Sequence, residues 1–256
     1  MQFAAYSQYY DLMYQDKDYV GEADYIRRLL TEFCPDATVV LELGCGTGKH
    51  ALLLAEAGLN VTGVEVSHAM LEQSLARAKQ SRSRALDGSF DAVYGDVRTV
   101  RISKQFDAVI SLFHVVSYQT TNADISEMFE SVAEHLRVGG VFVFDIWYGP
   151  AVVTSRPSVR VKRMENERIS VLRIAEPEID VNRNRVDVNY TVLITERDTG
   201  RVDQLSEHHQ MRYYFTPELE LLAQGAGMEI VRSEEWMTGN APSESTWGVA
   251  FIARKL

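Results

Sequence analysis

The sequence predicts an α/β fold: a mostly parallel sheet covered by helices on both faces, interrupted by an antiparallel β-sheet before the α/β pattern resumes. Three observations predict it. Over the first 150 residues, apolar strand-like runs alternate with amphipathic helical segments, and the runs are apolar at successive positions, as strands covered on both faces are. A glycine-rich turn at 44–48 separates the first of these strands from the helix that follows. From about 155 to 215 the apolar spacing moves towards a period of two, the mark of strands with one face packed and one wet.

The elements follow in order. Residues 38–43 (TVVLEL) form a β-branched apolar strand, and 49–57 (KHALLLAEA) a helix closed by Gly58. Residues 61–65 are a short strand. Ser67 caps a helix over 70–80, where Leu71, Leu75 and Ala78 share one face. Strands are predicted at 92–94, 106–112 and 141–146, with a helix around 125–136 ended by Gly139 and Gly140. In the insert, 159–163, 169–174, 186–195 and 205–215 alternate partially, divided by polar turns at 182–185 and 198–200. The α/β pattern returns at 216–225, with Thr216 as cap and Pro217 as first helical residue. Two strands at 228–234 and 247–254 close the chain; a connection without a helix favours an antiparallel pair.

Composition bounds the function. The chain has 256 residues, 46% of them hydrophobic and 24% charged, with a net charge of −10. That balance argues against a general affinity for nucleic acid or an anionic membrane. The two cysteines, Cys34 and Cys45, read as reduced structural thiols. No basic leader precedes an apolar stretch at the N-terminus, and no apolar run approaches the ~20 residues that span a bilayer. A cytoplasmic location is expected.

The strongest signal is 42–48 (ELGCGTG), set between strand and helix. Glycines at 44, 46 and 48 let the backbone turn sharply and approach a ligand, with N–H groups at a helix N-terminus. A pyrophosphate fingerprint needs G-x-G-x-x-G; here Lys49 and His50 stand where the third glycine is needed, and no Gly-Lys-Ser/Thr ends the loop. This disfavours a nicotinamide oxidoreductase and suits a ligand without phosphates, such as the methionine part of S-adenosylmethionine (SAM). Glu65, at the end of the second strand, is placed to accept from two ribose hydroxyls. Asp96, after the third, is placed to accept from an adenine amino group, against the alternative of a turn aspartate. Glu42 belongs near the sulfonium and amino end.

In order, 42–48, 64–67 (VEVS), Gly95-Asp96, 106–112 and 136–140 resemble the motifs of class I SAM-dependent methyltransferases. The resemblance covers residues 1–150 and 214–256. It implies a Rossmann-like sheet of seven strands with the last antiparallel, and leaves 155–213 as an inserted lid, dimerisation surface or both. It implies that Gly44, Gly46 and Gly48 line the methionine moiety, that Glu65 holds the ribose and Asp96 with Val97 the adenine, and that Leu112 contacts the cofactor through its backbone. Cys45, Val66, Met70, Tyr10 and Tyr19 complete the implied cofactor-binding set. The usual Pro-Gly-Gly before the fifth strand is Val138-Gly139-Gly140 here. More narrowly, 9–14 (YYDLMY), 17–19 (KDY), 113–118 (FHVVSY) and the insert resemble N,N-dimethyltransferases acting on amino groups of nucleotide-linked deoxysugars.

Methyl transfer from a sulfonium is an in-line displacement with a neutral leaving group, so the main demand is positioning in a dry pocket. A base matters only where the acceptor must lose a proton. His114 and Tyr118, after the fourth strand, are the candidates to accept a proton or orient the nucleophile. The N-terminal tyrosines (Tyr6, Tyr9, Tyr10, Tyr14, Tyr19) either close over the cofactor or pack on the core. Asp145, Trp147, Tyr148, His208, His209, Arg212 and Tyr213 flank the insert, and a solvated sheet face is favoured for them. The expected acceptor is a small molecule, with an O-methyltransferase of phenols or sugar hydroxyls as the main rival and a non-catalytic SAM-binding protein a further one. No metal dependence is expected.

Overall fold

The computed structural model describes residues 12–14, 17–82 and 87–256. Helix α1 (Tyr19–Phe33) starts where the Asp18 carboxylate accepts from the Gly21 N–H, and it buries Ala23, Ile26, Leu29 and Leu30. Then follow β1 (Val39–Leu43), α2 (Lys49–Glu56), β2 (Asn60–Glu65), α3 (His68–Arg82), β3 (Ser89–Tyr94) and β4 (Phe106–Ser111). A 3₁₀ turn (Val115–Tyr118) leads into α4 (Asn122–His135) and β5 (Leu136–Tyr148), and α5 (Gly149–Thr154) follows. Four strands come next: β6 (Arg160–Glu165), β7 (Ile169–Asp180), β8 (Arg185–Glu196) and β9 (Val202–Tyr214). The chain closes with α6 (Thr216–Gly225), β10 (Met228–Glu235) and β11 (Gly248–Lys255). No helix among the described residues is long and apolar enough to cross a membrane.

The central sheet runs β3-β2-β1-β4-β5 with every pair parallel; β11 then lies antiparallel to β5, and β10 antiparallel to β11. The continuous apolar runs follow from burial on both faces. Along β5, Val141 and Val143 enter the core beneath α1 and α2, while Phe142, Phe144 and Ile146 enter the core beneath α4 and α6. Each such side chain, fully buried, stabilises the fold by roughly 1.5–3 kcal/mol.

Strands β6 to β9 form an antiparallel meander. They are not a separate sheet. The C-terminal end of β5 continues past the central sheet and pairs parallel with β9, Trp147 against Tyr213 and Tyr148 against Tyr214. One face of the meander buries Met164, Val171, Val192 and Ile194 against Leu12 and Met13. Nearer the junction, Val186, Val188 and Tyr213 pack with Val152.

Among the boundaries that differ from the sequence expectation, two concern helix ends. Gly139 and Gly140 do not end a helix: α4 stops at His135, and Leu136 is already extended. The two glycines lie within β5 at a register shift against β4, with Gly139 at φ +79° and the Gly140 backbone against the Asp107 carbonyl. A bulge absorbs the extra residues without breaking the strand. The cap of α6 is Phe215, one residue earlier than Thr216, and the Glu218 carboxylate reaches back to accept from its N–H.

Candidate active site

The turn after β1 is anchored from both sides. The Gly44 and Cys45 N–H groups both donate to the Val64 carbonyl at the end of β2, at 2.9 and 3.0 Å. Gly44 has φ +75°, and a Cβ there would stand 2.6 Å from the Val115 side chain, so only glycine passes between β1 and the 3₁₀ turn. Glu65 fastens the loop: its Oε2 accepts from the Gly46 N–H at 2.9 Å and its Oε1 from the Ser67 N–H at 2.7 Å. Each oxygen retains a lone pair for a further donor.

Above this turn lies a cavity of about 550 Å³. It is lined from the C-terminal ends of the parallel strands, where α/β sheets take their ligands. Of the residues named from sequence, Tyr19, Glu42, Gly44, Cys45, Gly46, Glu65, Val66, Met70, Asp96, Val97, Leu112, His114 and Tyr118 all meet its wall. Gly48 does not: it faces inward, where a Cβ would strike Ser74 Oγ and the Phe90 ring. Its φ of +77° serves the turn and the packing of α2. Tyr10, with Tyr6 and Tyr9, lies outside the described residues.

Glu42 is 1% exposed, and its Oε2 has no hydrogen-bond partner among the described residues. Burial, reinforced by the charge of Glu65, pushes its carboxyl up to about 8. Asp96 is more occupied than expected. Arg98 grips it with Nε to Oδ1 at 2.9 Å and Nη2 to Oδ2 at 2.6 Å, and also pairs with Asp124. These hydrogen bonds hold the Asp96 carboxyl below the usual range.

After β4 the backbone is strained: Phe113 and His114 both lie in the left-handed region, at φ 65° and 62°. Such residues persist where their surroundings over-determine them. Here Asp145, 2% exposed at the end of β5, does so. Its Oδ1 accepts from the His114 N–H at 3.1 Å, and its Oδ2 lies 2.7 Å from His114 Nδ1. Nε2 of His114 bonds none of the described residues. Tyr14 packs edge-on against Phe113, and burial pushes its hydroxyl up to about 12.

The expectation of a solvated face fails for several residues around the insert. Trp147 and His209 line the cavity, Arg212 is buried between Asn122 and Glu218, and Tyr213 is fully buried. His208 faces solvent, 3.5 Å from Asp187. Tyr190 and Met211 are wall residues the sequence reading missed, as are Arg98 and Gln119. The signal for two of them was available. Tyr190 pairs with Glu207, and His209 and Met211 follow at steps of two, so all share one face of the meander.

The donor set fits the cofactor that the sequence implies. A buried carboxylate oxygen without a partner suits a cationic group, Glu65 suits vicinal hydroxyls, and a Cβ at Gly46 would meet only open space. Among the described residues no group of three or more His, Cys, Asp or Glu is arranged to hold a metal ion.

Comparison with known proteins gives the family. A methyltransferase domain family model matches residues 40–140. The dTDP-3-amino-3,4,6-trideoxy-alpha-D-glucopyranose N,N-dimethyltransferase of Streptomyces venezuelae is 31% identical over 225 residues, covering 86% of this chain and 89% of that protein. The dTDP-3-amino-3,6-dideoxy-alpha-D-glucopyranose N,N-dimethyltransferase of Streptomyces fradiae is 28% identical over 234 residues, covering 90% and 84%. The crystal structure of Streptomyces venezuelae DesVI superposes with a TM-score of 0.78 at 26% identity, covering 98% of both chains.

Proposed function

The chain belongs to the class I S-adenosylmethionine-dependent methyltransferases, in the sugar N-methyltransferase branch, and we propose that its acceptor is the amino group of a nucleotide-linked sugar. One observation carries this reading: a single cavity joins the acids Glu42, Glu65 and Asp96 to His114 and Tyr118 and to a wall supplied by β8 and β9. The names of the relatives that align along most of the chain support the acceptor class.

Bound SAM supplies a methyl carbon on a cationic sulfur that departs as a neutral thioether. In this reading Gly44 and Gly46 line the methionine moiety, Glu42 offsets positive charge, Glu65 accepts from the ribose hydroxyls, and Asp96 with Val97 and Leu112 meets the adenine. An amino sugar near neutral pH is an ammonium without a lone pair, so the protein must orient it and take a proton. Asp145 stands beside Nδ1 of His114 and steadies the ring, leaving Nε2 to accept a hydrogen bond that orients the acceptor amine. Tyr118 offers a hydroxyl to the same group. Tyr14, Phe113 and Trp147 keep the pocket apolar around it.

We further assign residues 1–150 and 214–256 to cofactor binding and 155–213 to a cover over the acceptor. On the outer face of the meander, Val161 and Val202 are exposed. They support its second use as the contact with another copy of the chain, which light scattering would measure.

The test is to incubate the purified protein with SAM and dTDP-3-amino-3,6-dideoxyglucose and to follow the mass of the sugar nucleotide. Gains of one and then two methyl groups are expected. No gain on amino sugars, together with methylation of phenols, would replace this reading with that of an O-methyltransferase.

A further inference from the structure

We propose that His209, carried on β9, is a positioning residue that takes the hydroxyl proton of Tyr118, so that the Tyr118 oxygen removes the proton of the acceptor ammonium. The inference rests on the reading that the acceptor is an amine. The Tyr118 hydroxyl lies 2.8 Å from His209 Nδ1, and His209 Nε2 lies 3.3 Å from Glu207 Oε2. A carboxylate can only accept, so Nε2 carries the hydrogen and Nδ1 is the bare nitrogen, facing a hydroxyl that donates to it. An acid that orients an imidazole, which in turn accepts from a hydroxyl, is the arrangement that activates hydroxyl groups on unrelated folds.

The three residues come from two distant stretches of chain. Tyr118 is in the turn after β4; Glu207 and His209 are two positions apart on β9 and so share a face. The Tyr190 ring of β8 holds the imidazole edge-on at 5.1 Å, and Arg173 of β7 lies 3.9 Å over the Tyr190 ring. Tyr14 also stands in the field of Arg173, Tyr190 and Glu207. Tyr118, Tyr190 and His209 all reach the cavity, and Tyr118 is 47% exposed, open to a ligand.

The proton balance closes. An N–H proton of the ammonium passes to Tyr118 Oη as the Oη–H proton passes to His209 Nδ1. The acceptor is left as a neutral amine, Tyr118 regains its hydroxyl, and His209 becomes an imidazolium beside Glu207. The amine lone pair then forms the new N–C bond, while the electrons of the broken S–C bond stay on sulfur. The methylated product is again an ammonium. Once His209 has returned its proton to solvent, the same relay serves a second transfer.

The experiment is steady-state kinetics against pH, with SAM and dTDP-3-amino-3,6-dideoxyglucose, for the wild type, His209→Gln, Glu207→Gln and Tyr118→Phe. SAM affinity of each variant, measured by calorimetry, reports an intact fold. In His209→Gln, kcat near neutral pH should fall by about 10²-fold, the scale of proton-transfer catalysis. The deficit should shrink as pH rises past the acceptor's own pKa, where the amine arrives neutral, and Tyr118→Phe should share that profile. Glu207→Gln should show a smaller deficit of the same shape. A deficit equal at all pH values, or none, would overturn the inference while leaving the amine reading intact. A wild-type enzyme that methylates no amino sugar would sink both.

Discussion

His50 Nδ1 lies 3.9 Å from Glu42 Oε1, and its other ring nitrogen already meets Glu22 Oε2 at 2.7 Å. Glu22 also pairs with Lys17. The imidazole is thus held by the acid on α1, which leaves Glu42 poorly compensated at the back of the cavity. With its carboxyl pushed up to about 8 by burial, Glu42 carries a proton in the ligand-free enzyme near pH 7. A cation beside it favours the ionised form. Binding of SAM is therefore expected to release a proton, read as a dependence of the binding enthalpy on the ionisation enthalpy of the buffer. Glu42→Gln should abolish that dependence.

The same group sets a pH trend in stability. Its folded value is raised from 4.5 to about 8, so its contribution is fully present below 4.5 and lost as pH climbs through 8. The ligand-free wild type should lose stability across that window relative to Glu42→Gln. Each unit of displacement is worth about 1.4 kcal/mol. Thermal denaturation of both proteins at a series of pH values checks the sign.

Glu65 ties Gly46 and Ser67 as well as reaching the cavity. Glu65→Ala should weaken SAM binding by roughly 1.5–3 kcal/mol, the range for hydrogen bonds to charged groups. It should also lower the melting temperature without ligand, because two backbone N–H groups lose their acceptor. Unchanged SAM affinity would mean that the ribose lies elsewhere.

Two glycine substitutions separate loop geometry from crowding. Gly46→Ala meets open space at φ +56° and should cost about 1–2 kcal/mol for the left-handed backbone. Gly44→Ala carries the same backbone cost and also strikes Val115 at 2.6 Å, so it should destabilise the protein more. Denaturant midpoints that place the two variants level would show that Val115 yields freely.

Asp145→Asn removes the anionic partner of His114 while keeping its shape. Turnover should fall, by up to about 10²-fold if the imidazole drifts, with SAM affinity unaltered. Unlike the His209 variant, its deficit should persist at high pH, since orientation rather than proton removal is lost.

The parallel half of the fold is legible in the chain because burial on both faces writes apolar runs such as 106–111 and 141–146 directly into the residues. The glycine turn is legible because positive φ at Gly44 and Gly46 demands glycine. What escapes notice depends on pairings between remote positions. That Gly48 packs on Phe90 needs the approach of β3. That His209 faces Tyr118 needs the register of β8 with β9 and the fusion of β9 to the end of β5. Local polarity alone made His209, Arg212 and Tyr213 read as solvated. Gly139 and Gly140 read as a helix stop because a bulge and a helix end ask for the same residue.

Strand β11 is the last element of the chain, yet it lies between β5 and β10 and touches both along most of its length. During synthesis the growing polypeptide can raise its cofactor loop, its meander and most of its helices long before residues 248–255 emerge. Until they do, the β5 margin stays open and β10 has nothing to pair with. Closure is thus deferred until that strand emerges, and a nascent chain stalled short of it would expose Phe144 and Ile146 to whatever strand came by.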